Sequence, residues 1–398
     1  MQIETPFLII EINKLNFIFI VGKKDDENNF HLIEEIKIPI SGINENKITE
    51  LNSIINLIKE NIFFIENKID FTFKETIIIL NNFECSLLNF SGFKKLNGMQ
   101  LTKENITYIL NSLKSKVDEI EKEKKILHIF NSKYLLDKKN VENLPIGLFG
   151  DFYSQELSFF LINKNDHKNL LNIFNTCNLK IKRIIYKGFI EGVELIKNNA
   201  NLESFFQIKI EENNSQIIFF ENSAIKYVQD FNFGSNIIIK DISKVTAMKI
   251  DIIKNFLINF DIARDLKGNE FLEKEYFKND NFRKVKKKLI LEVAAARIKE
   301  ISDVILFKNI NIVNFLKKKS PLYLNISDQA HLINFKNYFL EYFSEEKKVE
   351  VNFLENNDII NIYQNAMKLV QFGWKKEAVP IIHEKKSLVS RFFDFFFK

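Results

Sequence analysis

Glycine and proline are scarce in this 398-residue chain, at 11 and 5, and cysteine occurs twice. Alanine and arginine are also sparse, while Ile, Phe, Asn and Lys are heavily used. The bias runs evenly along the chain, which is the mark of an AT-rich coding sequence. The 41 Phe are therefore not a cofactor box or an aromatic binding platform. Cys85 and Cys177 lie far apart with no metal-ligand spacing, which excludes a disulfide framework and fits free thiols in a reducing compartment. The five His are scattered without a partner at metal spacing. Ser41-Gly42 and Ser91-Gly92 lack the context of a nucleophile elbow. A net charge of +5 is small for this length and carries no dense basic stripe, so nucleic acid is not an expected partner. No run of about 18 uncharged apolar residues occurs, so no spanning helix is predicted. Phe7 to Val21 is interrupted by Glu11, Asn13, Lys14 and Asn16, which excludes a signal-peptide core and predicts a cytoplasmic protein.

Nearly half of the residues are hydrophobic, enough for a sizeable core in two or more domains. Phe7 to Ile12 and Phe17 to Gly22 read as a hairpin, and His31 to Ile40 as a third strand. A helix is expected from about Lys47 to Asn61 and a buried strand over Glu75 to Leu80. From Asn81 to Phe160 the texture is that of an inserted module. It holds a helix over Leu101 to Lys122 with Thr102 as N-cap and Asn105 in its first turn, and strands at Lys125 to Phe130 and Leu157 to Ile162. Helices at Asp166 to Cys177 and Gly188 to Asn198 follow. Phe205 to Ile210, Gln216 to Phe220 and Ala224 to Asp230 then repeat the opening plan about 195 residues on, an approximate duplication of a mixed α/β sheet. Helices are expected at Lys244 to Leu266, Asn281 to Asp303, Asp328 to Phe343 and Asp358 to Phe372, with strands at Pro321 to Asn325 and Val349 to Leu354.

The last eleven residues carry a separate signal. At 100° per residue, Phe395, Leu388, Phe392, Phe396, Val389, Phe393 and Phe397 fill one arc of about 200°. Ser390, Asp394, Lys398 and Arg391 fill the remainder, and Lys385 and Lys386 precede them. A broad aromatic face bordered by basic residues suits the headgroup boundary of a bilayer with anionic lipid. Leu388, Val389, Arg391, Phe392, Phe393, Phe395, Phe396, Phe397 and Lys398 are the predicted membrane-binding residues, behind a tether at 375–387. The basic run Arg283, Lys284, Lys286, Lys287 and Lys288 reads as a solvated helix face.

Several segments resemble, in order, the bacterial cell-division protein family FtsA. Leu127-His128 with Tyr134 and Asp137 is similar to its LHxxxxxYxxD strand, and Pro145-Ile146-Gly147-Leu148-Phe149-Gly150 to its PxGLxG segment. Gly234 with Asp241-Ile242 resembles its GGxxITxDI segment, with Ser235 in place of the second glycine. Leu291-Glu292-Val293 with Arg297 resembles its AEVxxxR helix, and the terminal amphipathic helix is a family trait.

The resemblance implies an α/β, actin-like (ASKHA) two-lobed fold with a small SHS2-type α/β subdomain inserted in the first lobe. The implied division is 1–81 with 161–200 for the first lobe, 82–160 for the insertion, 201–240 with 312–374 for the second lobe and 241–311 for its subdomain. It also implies a peripheral protein on the cytoplasmic face of the inner membrane at the division site, holding the tubulin-like FtsZ, self-associating and meeting other divisome proteins. The filament contact is expected at 241–311, with Arg283, Lys284 and Lys287 as candidate contacts. A PilM-like pilus adaptor and an actin-like ATPase are the rival readings.

The family's nucleotide turns are absent. Its first phosphate loop, DIGTSK, is here Glu11 to Asn16, with Asn13 and Lys14 at the turn. Its second, DIGGGT, is here Lys209 to Asn214, with Glu211, Glu212 and Asn213 at the turn. The adenosine-side TGG turn is Leu324 to Ser327, with Asn325 and Ser327 in place of its small residues. Composition does not explain this, because Gly22, Gly147, Gly150, Gly188 and Gly234 persist where the family has glycine. A carboxylate repels phosphate by about 1 kcal/mol at 4 Å even in water. No ATP or Mg²⁺ cofactor, and no ATPase activity, is expected.

Overall fold

The structure is a computed structural model that describes residues 5–13, 16–25, 29–44, 47–81, 83–259, 271–277, 281–317, 319–327, 329–344, 349–354 and 359–378. The predicted terminal helix, Leu388 to Lys398, lies outside them, as does Lys14.

Two compact units divide the chain, one of Met1–Tyr186 with Ala366–Lys398 and one of Lys187–Asn365. In the first, β1 (Phe7–Ile12) and β2 (Asn16–Lys24) form the expected hairpin and β3 (Phe30–Pro39) extends it. Two short strands, β4 (Ile43–Asn44) and β5 (Lys47–Ile48), precede α1 (Leu51–Ile69). β6 (Glu75–Leu80) pairs parallel to β1. Its run of Ile and Leu, buried on both faces, is the pattern a parallel central strand demands.

A second sheet interrupts this one. It contains β7 (Cys85–Lys95), β8 (Lys124–Leu136), β9 (Lys139–Val141) and β10 (Phe152–Asn163), in the order β7-β10-β8-β9. Helix α2 (Lys103–Ile120) starts at a capping box between Thr102 and Asn105, as its sequence predicts. It buries Ile109, Leu110, Leu113 and Val117 in that sheet's core. After α3 (Lys164–Thr176), β11 (Lys180–Tyr186) returns to the first sheet, parallel to β6.

The second unit opens with α4 (Lys187–Asn198). Its sheet holds β12 (Phe205–Ile210), β13 (Ser215–Glu221), β14 (Ala224–Phe231), β15 (Leu322–Ile326) and β16 (Val351–Leu354). The orders β3-β2-β1-β6-β11 and β14-β13-β12-β15-β16 are the same plan. In each, two antiparallel pairings are followed by two parallel ones. The repeat seen in the sequence is thus one topology used twice.

The helical part of this unit departs from the predicted boundaries. One helix was expected over Lys244 to Leu266; among the described residues two form, α5 (Asn236–Thr246) and α6 (Ile250–Asn259), and 260–266 lie outside them. Ala247 between them is left-handed, at φ 53°. Among the described residues the next α-helix, α7 (Lys287–Ser302), begins later than predicted, because Val285 and Lys286 pair with Leu272 and Phe271. It passes into a single π-helical turn, Asp303–Phe307. Short helices α8 (Val313–Leu316) and α9 (Gln329–Leu332) and the longer α10 (Lys336–Phe343) complete the core around Phe206, Ile253, Ile298 and Phe339. The last helix among the described residues, α11 (Ile359–Phe372), is divided between the units, with Ala366 onward belonging to the first. Helix α4 goes with the second unit rather than the first lobe, because Phe220 packs directly on Gly192.

Candidate functional site: the degraded nucleotide turns

At the β1–β2 turn, Asn13 closes the chain on itself. Its N–H donates to the Asn16 carbonyl at 3.1 Å, and its Oδ1 accepts the Asn16 N–H at 2.8 Å. Glu11, which stands where the resemblance has an aspartate, is buried in β1.

The second turn, Glu211 to Asn214, is held from both sides. Helix α5 offers it two N-terminal amides that a helix leaves without an internal acceptor. Ser235 N–H donates to the Glu211 carbonyl at 2.8 Å and Asn236 N–H to the Glu212 carbonyl at 2.9 Å. Asn236 Nδ2 reaches Asn213 Oδ1 at 3.1 Å, and Ser215 Oγ donates to the Phe233 carbonyl at 2.8 Å. Gly234 makes the approach possible. A Cβ there would lie 2.0 Å from the Glu211 carbonyl oxygen and 2.7 Å from the Asn214 nitrogen. The family-like glycine therefore serves the packing of this turn.

Lys209, in place of the family's acid, carries the charge balance. Its Nζ lies 3.3 Å from Glu211 Oε1 and 3.7 Å from Glu191 Oε1. Gln207 Nε2 donates to the other Glu191 oxygen at 3.0 Å. These side chains are largely shielded, Lys209 at 19% and Glu191 at 11% exposure. An ammonium thus lies between two carboxylates. Asn325 on β15 is the register partner of Lys209, and Ser327 N–H donates to the Ile210 carbonyl at 2.9 Å. The structure so brings together Glu211, Glu212, Asn213, Asn325 and Ser327. Sequence reasoning missed Glu191 and Gln207: Gln207 shares β12 with Lys209, and only the fold brings Glu191 of α4 to them.

Of the candidate filament contacts, Arg283 and Lys284 are exposed and lie outside any helix or strand. Lys287 is not: its Nζ lies 2.7 Å from Glu273 Oε1 and its side chain is 5% exposed. The basic run is therefore no continuous helix face, because α7 starts only at Lys287. Two family-like segments do meet, for Arg297 of α7 pairs with Asp241 of α5 and with Glu300 at 2.7 Å.

The remaining motif residues work inside the inserted sheet. Asp137 Oδ1 accepts the N–H groups of Asp151 and Phe152, each at 2.8 Å, and so fixes the start of β10. Burial pushes the Tyr134 hydroxyl up to about 12. In the first unit a cavity of about 760 Å³, lined by Phe7, Lys24, Glu75, Thr76, Lys182 and Gln371, opens at the starts of β1 and β6. That is the opposite end of β1 from Asn13. No helix among the described residues is long and apolar enough to cross a membrane.

The chain is similar to a cell division protein FtsA of Buchnera aphidicola subsp. Acyrthosiphon pisum, 23% identical over 251 residues, 63% of this chain and 60% of the relative. It is 21% identical to a cell division protein FtsA of Neisseria meningitidis serogroup B over 300 residues, 75% of this chain and 72% of the relative. The chain is FtsA-like. The match spans less than two thirds of the Buchnera relative's own length. No family model matches the chain. Among solved structures, a PilM–PilN type IV pilus biogenesis complex superimposes with a TM-score of 0.55 at 10% identity, covering 94% of this chain and 99% of that one. At that identity the likeness establishes the fold, which is actin-like and mixed α/β, and the FtsA-like segments of the sequence lie on it in order.

Proposed function

We propose that this FtsA-like protein is a cell-division tether. Its terminal amphipathic helix, Leu388 to Lys398, lies on the cytoplasmic face of the inner membrane, and its actin-like body holds an FtsZ filament there and recruits other divisome proteins. The observation that carries the reading is the apolar arc of 388–398 on a chain otherwise similar to FtsA. Seven apolar side chains share one face, and buried apolar area together with attraction of basic residues to anionic lipid sets the strength of such binding.

The body works without a nucleotide cycle. The Lys209 ammonium between Glu191 and Glu211 supports this, as does the turn closed against Gly234. Neither turn keeps the bare backbone amides that approach phosphates. The FtsZ contact falls at 241–311, where Arg283 and Lys284 offer exposed positive charge to an acidic filament tail, while Lys287 is committed to Glu273.

Co-sedimentation with vesicles of phosphatidylethanolamine and phosphatidylglycerol tests the reading, using the full chain and a chain ending at Ser387, with and without FtsZ. The full chain pellets with vesicles and carries FtsZ down; the shortened chain stays in solution. Equal pelleting of both removes the helix from the function. Pelleting of the full chain without FtsZ removes the partner and leaves the membrane anchor.

A further inference from the structure

The stretch expected to be a polar tether begins with an antiparallel β-bridge between Glu377 and Phe130. Lys376 to Ala378 pairs antiparallel with β8: Asn131 N–H donates to the Lys376 carbonyl at 2.7 Å, and Ala378 N–H to the Ile129 carbonyl at 2.8 Å. Lys376 is fixed as well, its Nζ donating to the Glu142 carbonyl at 2.8 Å and lying 4.9 Å over the Tyr134 ring.

Between those two backbone bonds Glu377 turns inward, its side chain 4% exposed. Oε1 lies 2.7 Å from His128 Nδ1 on β8. The other ring nitrogen, Nε2, accepts the Tyr186 N–H at 3.2 Å. Nε2 therefore carries the lone pair, and Nδ1 carries the hydrogen given to Glu377. Oε2 accepts from Arg183 of β11, whose NH1 donates to the Leu369 carbonyl of α11 at 2.7 Å. One carboxylate thus joins the inserted sheet, the edge strand of the first sheet and the last helix. His128 lies in the LHxxxxxYxxD-like segment, but nothing in the sequence marks Arg183 or Glu377 as its companions.

A single bridge with two backbone bonds is marginal by itself. The buried carboxylate gives up hydration to meet its partners, which offsets part of what the pairing contributes. When this bridge opens, Glu377 regains water, so the closed state is a discrete and breakable one.

We propose that Lys376–Ala378 is a latch, closed by Glu377, that couples the root of the 379–398 segment to β8 and β11 so that all three are released together. Whatever grips 379–398 then acts on the inserted sheet as well as on α11. The coupling is independent of what the gripping surface is.

Hydrogen exchange of the full chain tests it, comparing the original protein with Glu377→Ala and Glu377→Gln. Loss of about 1.4 kcal/mol of closure is a tenfold change in opening. Glu377→Ala is expected to speed exchange of the Ala378, Asn131 and Tyr186 amides together by about tenfold or more, leaving the β12 amides unchanged. Glu377→Gln, which keeps shape and can still accept from His128, speeds the same three by less, and decides the matter should the alanine variant not fold. A chain ending at Ser387 keeps all three protected. Faster exchange confined to Ala378, no change at any of the three, or release of all three by the Ser387 truncation alone overturns the latch.

Discussion

Gly234 lies against Glu211 so closely that a methyl group between them would sit 2.0 Å from a carbonyl oxygen. Contact at that distance is with backbone already fixed by the Ser235 and Asn236 amides, so it is not relieved by a rotamer change. Gly234→Ala therefore has to move the β12–β13 turn or the start of α5, at a cost of about 1–3 kcal/mol typical of overpacking. Thermal denaturation is expected to show a lowered midpoint. Gly98→Ala makes a useful contrast: it has open space around its Cβ, with strain only from its φ of +78°, and is expected to lose less.

The Lys209 cluster gives a second prediction. Removing the ammonium leaves Glu191 and Glu211 facing each other in a largely shielded site. Breaking a buried pair by deleting one partner costs about 3–5 kcal/mol, and partial exposure here reduces that to about 1–3 kcal/mol. Lys209→Ala is expected to destabilise by that amount in urea unfolding, and Lys209→Ala with Glu211→Gln to recover part of it. A double mutant no more stable than the single one would show that the two charges are not coupled.

A third prediction concerns nucleotide. Mg-ATP is expected to leave the thermal midpoint unchanged, because a ligand stabilises only in proportion to its binding. Glycine at Glu211 and Glu212 alone is not expected to restore a response, since Lys209 stays beside Glu191. A clear upward shift with the unaltered protein would return the actin-like ATPase to consideration.

Local patterns were readable where the determinant is itself local. Thr102 and Asn105 announce the start of α2, and the hairpins β1–β2 and β12–β13 follow from apolar runs around short polar links. The matched order of the two five-stranded sheets was foreshadowed because each copy repeats the same local signals. What stayed hidden depends on residues remote in sequence. Val285 and Lys286 belong to a helical run by periodicity, yet pairing with Phe271 and Leu272 draws them into extended chain. Lys287 reads as solvated until Glu273 is placed beside it. Glu377 reads as tether because its partners, His128 and Arg183, lie far up the chain.

Acid provides a fourth prediction. Burial pushes the Glu377 carboxyl up, but the His128 hydrogen bond and the Arg183 guanidinium outweigh it and hold it at about 2, against the ordinary 4.5. A folded-state value below the unfolded one contributes stability that is present above about pH 4.5 and lost as pH falls towards 2. The difference corresponds to about 3 kcal/mol. Between pH 5 and 2.5 the original protein is expected to lose stability more steeply than Glu377→Gln, which has no proton to take up. Parallel slopes for the two in acid unfolding would mean that this carboxylate is not held in its charged form.

The proposed amphipathic segment at 388–398 supplies the last. On the arc of Leu388 to Phe397, Phe396 stands at the middle and Asp394 in the opposite polar sector. Burying a Phe side chain contributes about 1.5–3 kcal/mol, and a charge in its place adds a desolvation cost. Phe396→Asp is therefore expected to weaken vesicle binding by about thirtyfold or more, the equivalent of about 2 kcal/mol. Asp394→Asn removes a negative charge from the polar face and is expected to tighten binding to anionic vesicles. Added salt should weaken binding of both the original chain and Asp394→Asn by screening Arg391, Lys398, Lys385 and Lys386. The apolar share of the binding persists at high salt. If Phe396→Asp binds as tightly as the original chain while salt abolishes binding of both, the attachment is electrostatic and the apolar arc has another purpose.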